Sequence, residues 1–188
     1  AFAQVEMRHL NLTARQIHLY QRLGGFLLFP NEAMRGPAEK IAANRLGQKA
    51  LWRFGISGDR PILLIRVAET SQIDAFREVA SAHFFLLSRG FVSDLVVCND
   101  FPGSYFDALQ EQLQSIIDER RVAEKPVDRV FLLRGSQLTV EDHMLLDTVA
   151  TVVLRAADGS LAQQLEKAND KNLLKMTAGS SPRTSATP

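Results

Sequence analysis

Two short stretches of the sequence hold the residue types that could bind a polar ligand. They are LWRFGISGD (51–59) and NDFPGSY (99–105). Aromatic rings offer a flat apolar face with a polar edge, while hydroxyl, amide and carboxylate groups supply hydrogen-bond donors and acceptors. The candidate ligand-binding residues are Trp52, Ser57, Asp59, Asn99, Asp100 and Tyr105.

The same residue types also have structural uses. Asn, Asp, Gly and Ser are the usual residues of turns and helix caps, so segment 99–104 can be read as turn chemistry. Pro61 lacks a backbone donor and biases Arg60 toward extended backbone, which favours a rigid turn that leads into a strand. In this interpretation Ser57 and Asp59 satisfy amides of the turn. Trp52 and Phe54 would then anchor the preceding helical segment against the sheet, and we prefer this interpretation.

Patterns typical of catalytic or cofactor sites are missing from the sequence. GISGD (55–59) does not match G-x-S-x-G, and it precedes an apolar run instead of following one. Neither G-x-G-x-x-G nor G-x-x-x-x-G-K-[ST] occurs. The four histidines are scattered, and none is paired at metal-ligand spacing. We therefore predict no catalytic residue, no metal site and no cofactor.

The elements that would position these residues follow from a pattern that occurs four times after residue 61. A β-branched apolar run is followed each time by a polar turn and an amphipathic, capped helix. The apolar runs are 62–67, 92–98, 129–133 and 150–154. This pattern predicts an α/β domain with a small, mainly parallel sheet of about four strands and flanking helices. Ligands of such sheets bind beyond the carboxyl ends of the strands.

The regions on either side of this pattern have a different composition. Segment 1–50 is predicted to form two helices. The first begins with a capping box at Thr13 and ends at Gly24 and Gly25, and the second lies between Pro37 and Gly47. The α/β domain would cover 51–168. Segment 169–188 ends in a run rich in Ser, Thr, Ala and Pro, so it is expected to be a flexible tail or linker.

Charge and composition restrict the partners. Lys and Arg total 22 against 21 Asp and Glu, so no nucleic-acid partner is indicated. The apolar runs are too short for direct membrane insertion, and the single cysteine, Cys98, cannot form an internal disulfide. The chain opens AFAQVEMRHL without an initiator Met or a leader, so we expect it to be part of a longer protein.

Several longer motifs resemble one protein family. They are EMRHLNLTARQIHLYQRLGGFLLFPNEAMRGPAEKI (6–41), ANRLGQKALWRFGISGDRPILLIR (43–66), GFVSDLVVCNDFPGSYFDALQEQL (90–113) and VFLLRGSQLTVEDHMLLDTVATVVLRAADGSLAQQL (130–165). They are similar to segments of the bacterial cyclic β-1,2-glucan synthases, which are large inner-membrane proteins. The resemblance implies a parent that transfers glucose from UDP-glucose, controls chain length by phosphorolysis and closes the ring.

The resemblance places this segment between the glycosyltransferase part and the C-terminal part similar to cellobiose phosphorylase, on the cytoplasmic side of the membrane. Neither part's catalytic motifs occur here, so no catalytic residue is carried over. We expect a non-catalytic connecting or scaffold module whose partners are the flanking portions of the same chain. The alternative is a module that binds the growing β-1,2-glucan.

A group of apolar residues near the amino terminus bears on the connecting role. Its members are Phe2, Val5, Phe26, Leu27, Leu28 and Phe29. We expect some of them to form an exposed patch that a neighbouring portion covers, or that a second copy covers in a homo-dimer. The competing expectation is that they are all internal.

Overall fold

A computed structural model describes residues 12–103, 108–123 and 129–178, and its centre is a four-stranded parallel sheet. The strands are β1 (Ile62–Val67), β2 (Asp94–Asn99), β3 (Val130–Arg134) and β4 (Val152–Arg155). Their order across the sheet is β3-β2-β1-β4, and all three strand pairs are parallel. The predicted α/β class is confirmed.

Helices cover both faces of this sheet. They are α1 (Ala14–Leu28), α2 (Ala38–Ala43), α3 (Ile73–Ser88), α4 (Ala108–Ala123), α5 (Val140–Val149) and α6 (Leu161–Ala178). Residues of α1, α3, α4 and α6 share one apolar cluster. Residues of α5 and of a 3-10 segment, Gln48–Phe54, share the cluster on the opposite face, and α2 packs against α5.

The sequence of β1 explains why the sheet needs both layers. Leu63, Ile65 and Val67 pack into the first cluster, whereas Ile62 and Leu64 pack into the second. Successive side chains of a strand point to opposite faces, so a run that is apolar throughout is buried on both sides.

The direction of chain progression reverses at β1. The chain passes from β1 to β2 and β3 on one side, then returns through α5 to β4 on the other side of β1. Such a reversal leaves a crevice outside the carboxyl ends of the two strands that flank it. In this fold the crevice lies beyond β1 and β4.

The N-terminal helices differ from the prediction at their ends. The capping box at Thr13 is confirmed, but α1 continues through Gly24 to Leu28. A Cβ on Gly24 would lie 3.0 Å from the Leu86 side chain, so this glycine permits close helix packing and does not end the helix. The second helix ends at Ala43, before the predicted stop at Gly47.

At the other end, α6 continues past residue 168, where the tail was expected to begin. Within the described ranges, no helix combines the length and the hydropathy that a bilayer crossing requires.

Candidate functional site

An open cavity of about 590 Å³ lies beyond the carboxyl ends of the strands and includes the crevice at β1 and β4. Its lining residues come from α2, from the ends of the strands and from α5. They are Lys40, Arg66, Asp100, Phe101, Pro102, Gly135, Ser136, Val140, His143, Met144 and Arg155. Polar and charged side chains that are far apart in the sequence therefore meet at the place where this class of fold binds ligands.

Arg66 lies at the floor of the cavity and is bound from two sides. Its Nη2 and Nε atoms donate to Oδ1 of Asp147 at 2.9 and 3.1 Å, and its Nη1 donates to Oδ2 of Asp100 at 3.1 Å. The Arg66 side chain is 10% exposed and that of Asp147 is fully buried. The negative charges of two carboxylates thus balance the positive charge of one nearly buried guanidinium.

Asp147 also connects α5 to α2. Lys40 Nζ donates to its other carboxylate oxygen, Oδ2, at 3.0 Å. Burial alone would raise the pKa of Asp147, but the charges and hydrogen bonds of Arg66 and Lys40 outweigh burial and hold the pKa below its usual value. The carboxylate is therefore ionised at neutral pH.

His143 completes this arrangement from α5. Its Nε2 lies 3.2 Å from the carbonyl oxygen of Gly135, so Nε2 is assigned the proton. Its Nδ1, 3.1 Å from Nη1 of Arg66, then accepts a hydrogen bond from the guanidinium. Both ring nitrogens are therefore engaged by hydrogen bonds within the protein.

Cys98 is similarly engaged. Its thiol donates to Oδ1 of Asp100 at 2.9 Å. Burial, together with the neighbouring Asp100 carboxylate, raises the pKa of the thiol far above its usual value. The thiolate is the nucleophilic form of cysteine, so Cys98 is unsuited to nucleophilic catalysis.

Cys98, Asp100 and His143 also meet the geometric requirement for a metal site, since one donor atom of each lies within 4.8 Å of the others. However, Nη1 of Arg66 contacts all three residues, at 3.5, 3.1 and 3.1 Å respectively. Their donor atoms therefore surround a cation that belongs to the protein. The arrangement fits a guanidinium better than a metal ion.

The structure brings only part of the sequence-predicted site to this crevice. Asp100 lines the cavity. Asn99 is 2% exposed; its side-chain nitrogen donates to Gln110 at 2.8 Å and its oxygen accepts from the amide of Phe101 at 3.1 Å. Asn99 thus shapes the turn that follows β2. Tyr105 lies outside the described residues.

Ser57 and Asp59 belong to the turn before β1, at the opposite end of that strand. The Ser57 hydroxyl donates to the Asp59 carboxylate, and this hydrogen bond lowers the pKa of Asp59. Gly58 between them has a φ of +73°, a conformation that favours glycine. A six-residue strand of about 3.3 Å per residue separates this turn from the crevice, so the two groups cannot form one site.

The hypothesis that Trp52 anchors the helical entry is wrong. Trp52 is 60% exposed, whereas its neighbour Leu51 is 1% exposed and fills the second cluster. Phe54 packs against the same cluster as predicted. The 3-10 geometry of this segment turns the leucine inward and leaves the tryptophan in solvent.

The apolar group near the amino terminus is divided. Leu27 is 1% exposed, while Leu28 and Phe29, at the end of α1, are 57% and 76% exposed. Phe26 is partly buried against the first cluster, and Phe2 and Val5 lie outside the described residues. The expectation that all of these residues are internal is wrong for Leu28 and Phe29.

Sequence reasoning missed most of the crevice residues. Arg66 was the available signal, because it is the only charged residue in the apolar run ILLIRV. A charge in a buried strand requires a partner. Its partner Asp147 is 81 positions away, so no local pattern identifies it.

Fold and site together define a doubly wound parallel α/β domain. The crevice beside the reversal at β1 has a floor of charged side chains that bind one another. No family model matches the chain. It is 31% identical over 169 residues to the cyclic beta-(1,2)-glucan synthase NdvB of Rhizobium meliloti (strain 1021), an alignment that covers 88% of this chain and 6% of that protein. The resemblance to a segment of the cyclic β-1,2-glucan synthases is confirmed.

Proposed function

We propose that this domain is a non-catalytic connecting module of a cyclic β-1,2-glucan synthase, which holds the flanking portions of the chain in fixed positions. The chain is similar to only a small part of such a synthase, since the alignment covers 6% of the length of the relative. The proposed parent transfers glucose from UDP-glucose, shortens the chain by phosphorolysis and cyclises it. This domain would lie on the cytoplasmic side of a bacterial inner membrane.

The observation that carries the proposal is the state of the groups in the crevice. A catalytic site needs a nucleophile or base that is free to reach a substrate. Here the Cys98 thiol is bound to Asp100 and has a raised pKa, and both nitrogens of His143 are hydrogen-bonded. The two hydrogen bonds of His143 stabilise the position of α5 on the sheet, as a rigid connecting domain requires.

Exposed apolar side chains supply the second support. Leu28 and Phe29 end α1 in solvent, and a longer chain can cover them with a neighbouring portion. In the isolated domain a second copy could cover them instead and produce a homo-dimer.

A turnover assay tests the absence of catalysis. The purified chain is incubated with UDP-glucose, or with β-1,2-gluco-oligosaccharides with and without phosphate, and products are measured by chromatography. We expect none. Turnover that disappears in both Cys98→Ala and His143→Gln, while each variant remains folded by circular dichroism, would overturn the proposal.

A pair of surface variants in the full-length synthase tests the connecting role. Phe29→Ser should reduce glucan synthesis because it weakens a contact between portions, whereas Trp52→Ser, a change at another exposed aromatic, should leave it near the wild-type rate. Both variants should unfold like the wild type in the isolated chain. If Trp52→Ser alone reduces synthesis and also abolishes glucan binding to the isolated chain, the domain binds oligosaccharide instead.

A further inference from the structure

We propose that the crevice beyond β1 and β4 binds a small molecule that carries a phosphate group, with Arg155 as its main contact. The proposal goes beyond the connecting role and is independent of it, because it rests on the side chains of this crevice alone.

The first observation is a pair of neighbouring arginines. Arg66 and Arg155 are register partners at the ends of β1 and β4, so both side chains lie on the same face of the sheet, and both line the cavity. Adjacent strands are about 4.8 Å apart, and like charges at such a spacing repel each other. Negative charge nearby stabilises an arrangement of this kind.

The two arginines differ in how that charge is supplied. Arg66 is bound by Asp100 and Asp147. Among the described residues, no carboxylate lies within ion-pairing distance of Arg155, and its backbone groups alone are hydrogen-bonded, both to Gln164. Arg155 is therefore a cation at a ligand-binding position of the fold, and none of the described residues forms an ion pair with it.

The charges of the whole lining agree with an anionic ligand. Lys40, Arg66 and Arg155 face the cavity, against one carboxylate, that of Asp100. Asp147, beneath Lys40 and Arg66, reduces the net positive charge of this region but does not cancel it. A neutral sugar would leave Arg155 uncompensated, whereas an anion would neutralise it.

Phosphate fits these donors better than a carboxylate does. A guanidinium can donate two parallel hydrogen bonds to two phosphate oxygens, and a phosphate ester has a further terminal oxygen for another donor. Lys40, whose side chain is 45% exposed, and the exposed Ser136 hydroxyl are the other donors in the lining. The preferred ligand group is therefore a phosphate.

The rest of the cavity suits an organic ligand. Apolar side chains form part of the wall; they are Phe101, Pro102, Val140 and Met144. The volume of about 590 Å³ is in the range of small-molecule sites, roughly 300–1,000 Å³. A phosphate ester with an attached ring or sugar can contact both kinds of surface, so it should bind more tightly than inorganic phosphate.

Calorimetric titration of the full chain tests the proposal. The probes are inorganic phosphate, a hexose monophosphate and a nucleoside diphosphate, with an uncharged hexose as control. We expect the phosphate esters to bind, the hexose not to bind, and Arg155→Gln to weaken binding at least tenfold. Arg15→Gln, the same change at an exposed arginine of α1, should leave affinity unchanged. Equal affinity of Arg155→Gln and wild type, or no binding of any phosphate probe at millimolar concentration, would overturn the proposal.

Chemical-shift mapping on the unmodified chain keeps the test decisive if Arg155→Gln does not fold. The phosphate probes should move the Met144 methyl signal and the Gly135 amide signal, because both residues line the cavity. Shifts confined to residues outside the cavity would contradict the assignment.

Discussion

Replacing Asp147 by asparagine tests whether the buried ion pair fixes α5 to the sheet. Asp147 is fully buried, accepts two hydrogen bonds from Arg66 and one from Lys40, and is the closest counter-charge of Arg66. At the 2.9 Å separation, Coulomb's law with an effective dielectric constant of about 20 gives an attraction of about 6 kcal/mol. Desolvation offsets part of it, and losing one partner of a buried pair costs about 3–5 kcal/mol.

The variant retains one acceptor oxygen, so we expect the free energy of unfolding to fall by about 3 kcal/mol, at the lower end of that range. The assay is equilibrium urea unfolding of the full chain at pH 7. Asp100→Asn is the matched control, because it makes the same change on the same guanidinium at a side chain that is 28% exposed. That variant should lose only about 1 kcal/mol, since solvent screens the pair.

A double-mutant cycle separates the ion pair from other effects of the substitution. Asp147→Asn combined with Arg66→Met should cost less than the sum of the two single changes, with a coupling energy of about 2 kcal/mol. Equal losses for Asp147→Asn and Asp100→Asn, or simple additivity in the cycle, would refute the reasoning.

Three further variants test other parts of the fold. Burial lowers the pKa of His83 from 6.5 to about 4. As the pH falls, the unfolded chain therefore binds a proton at this histidine before the folded chain does. About 3 kcal/mol of stability that is present above pH 6.5 is lost as the pH falls toward 4. His83→Gln should remove this slope from urea unfolding between pH 4 and 7, and an unchanged slope would show that other groups titrate. Gly36→Ala should destabilise the chain by several kcal/mol, of order 3, because its Cβ would lie 2.5 Å from the backbone oxygen of Asp147. Gly25 lies within α1 with no atom close to the position of a Cβ, so Gly25→Ala should instead raise the free energy of unfolding by about 0.5–1 kcal/mol. A similar loss of stability in both glycine variants would contradict the steric explanation.

The sequence by itself determined the class of the fold and the order of its elements. Apolar runs alternate with amphipathic helices, and caps such as Thr13 depend on contacts within one turn of a helix. The rule that ligands bind beyond the carboxyl ends of strands also led to Asp100. The same local reasoning failed at Gly24, because a glycine that ends a helix and one that permits close packing look alike in sequence.

The tertiary structure decided which of these residues share a site. β4 pairs with β1 and not with β3, and this choice places Arg155 beside Arg66. The return through α5 brings Asp147 to the same point from 81 positions away. Periodicity records whether a residue is buried, but it does not record which strand lies next to which. That depends on the packing of the helices over both faces, so the charges of the crevice come together only in the folded chain.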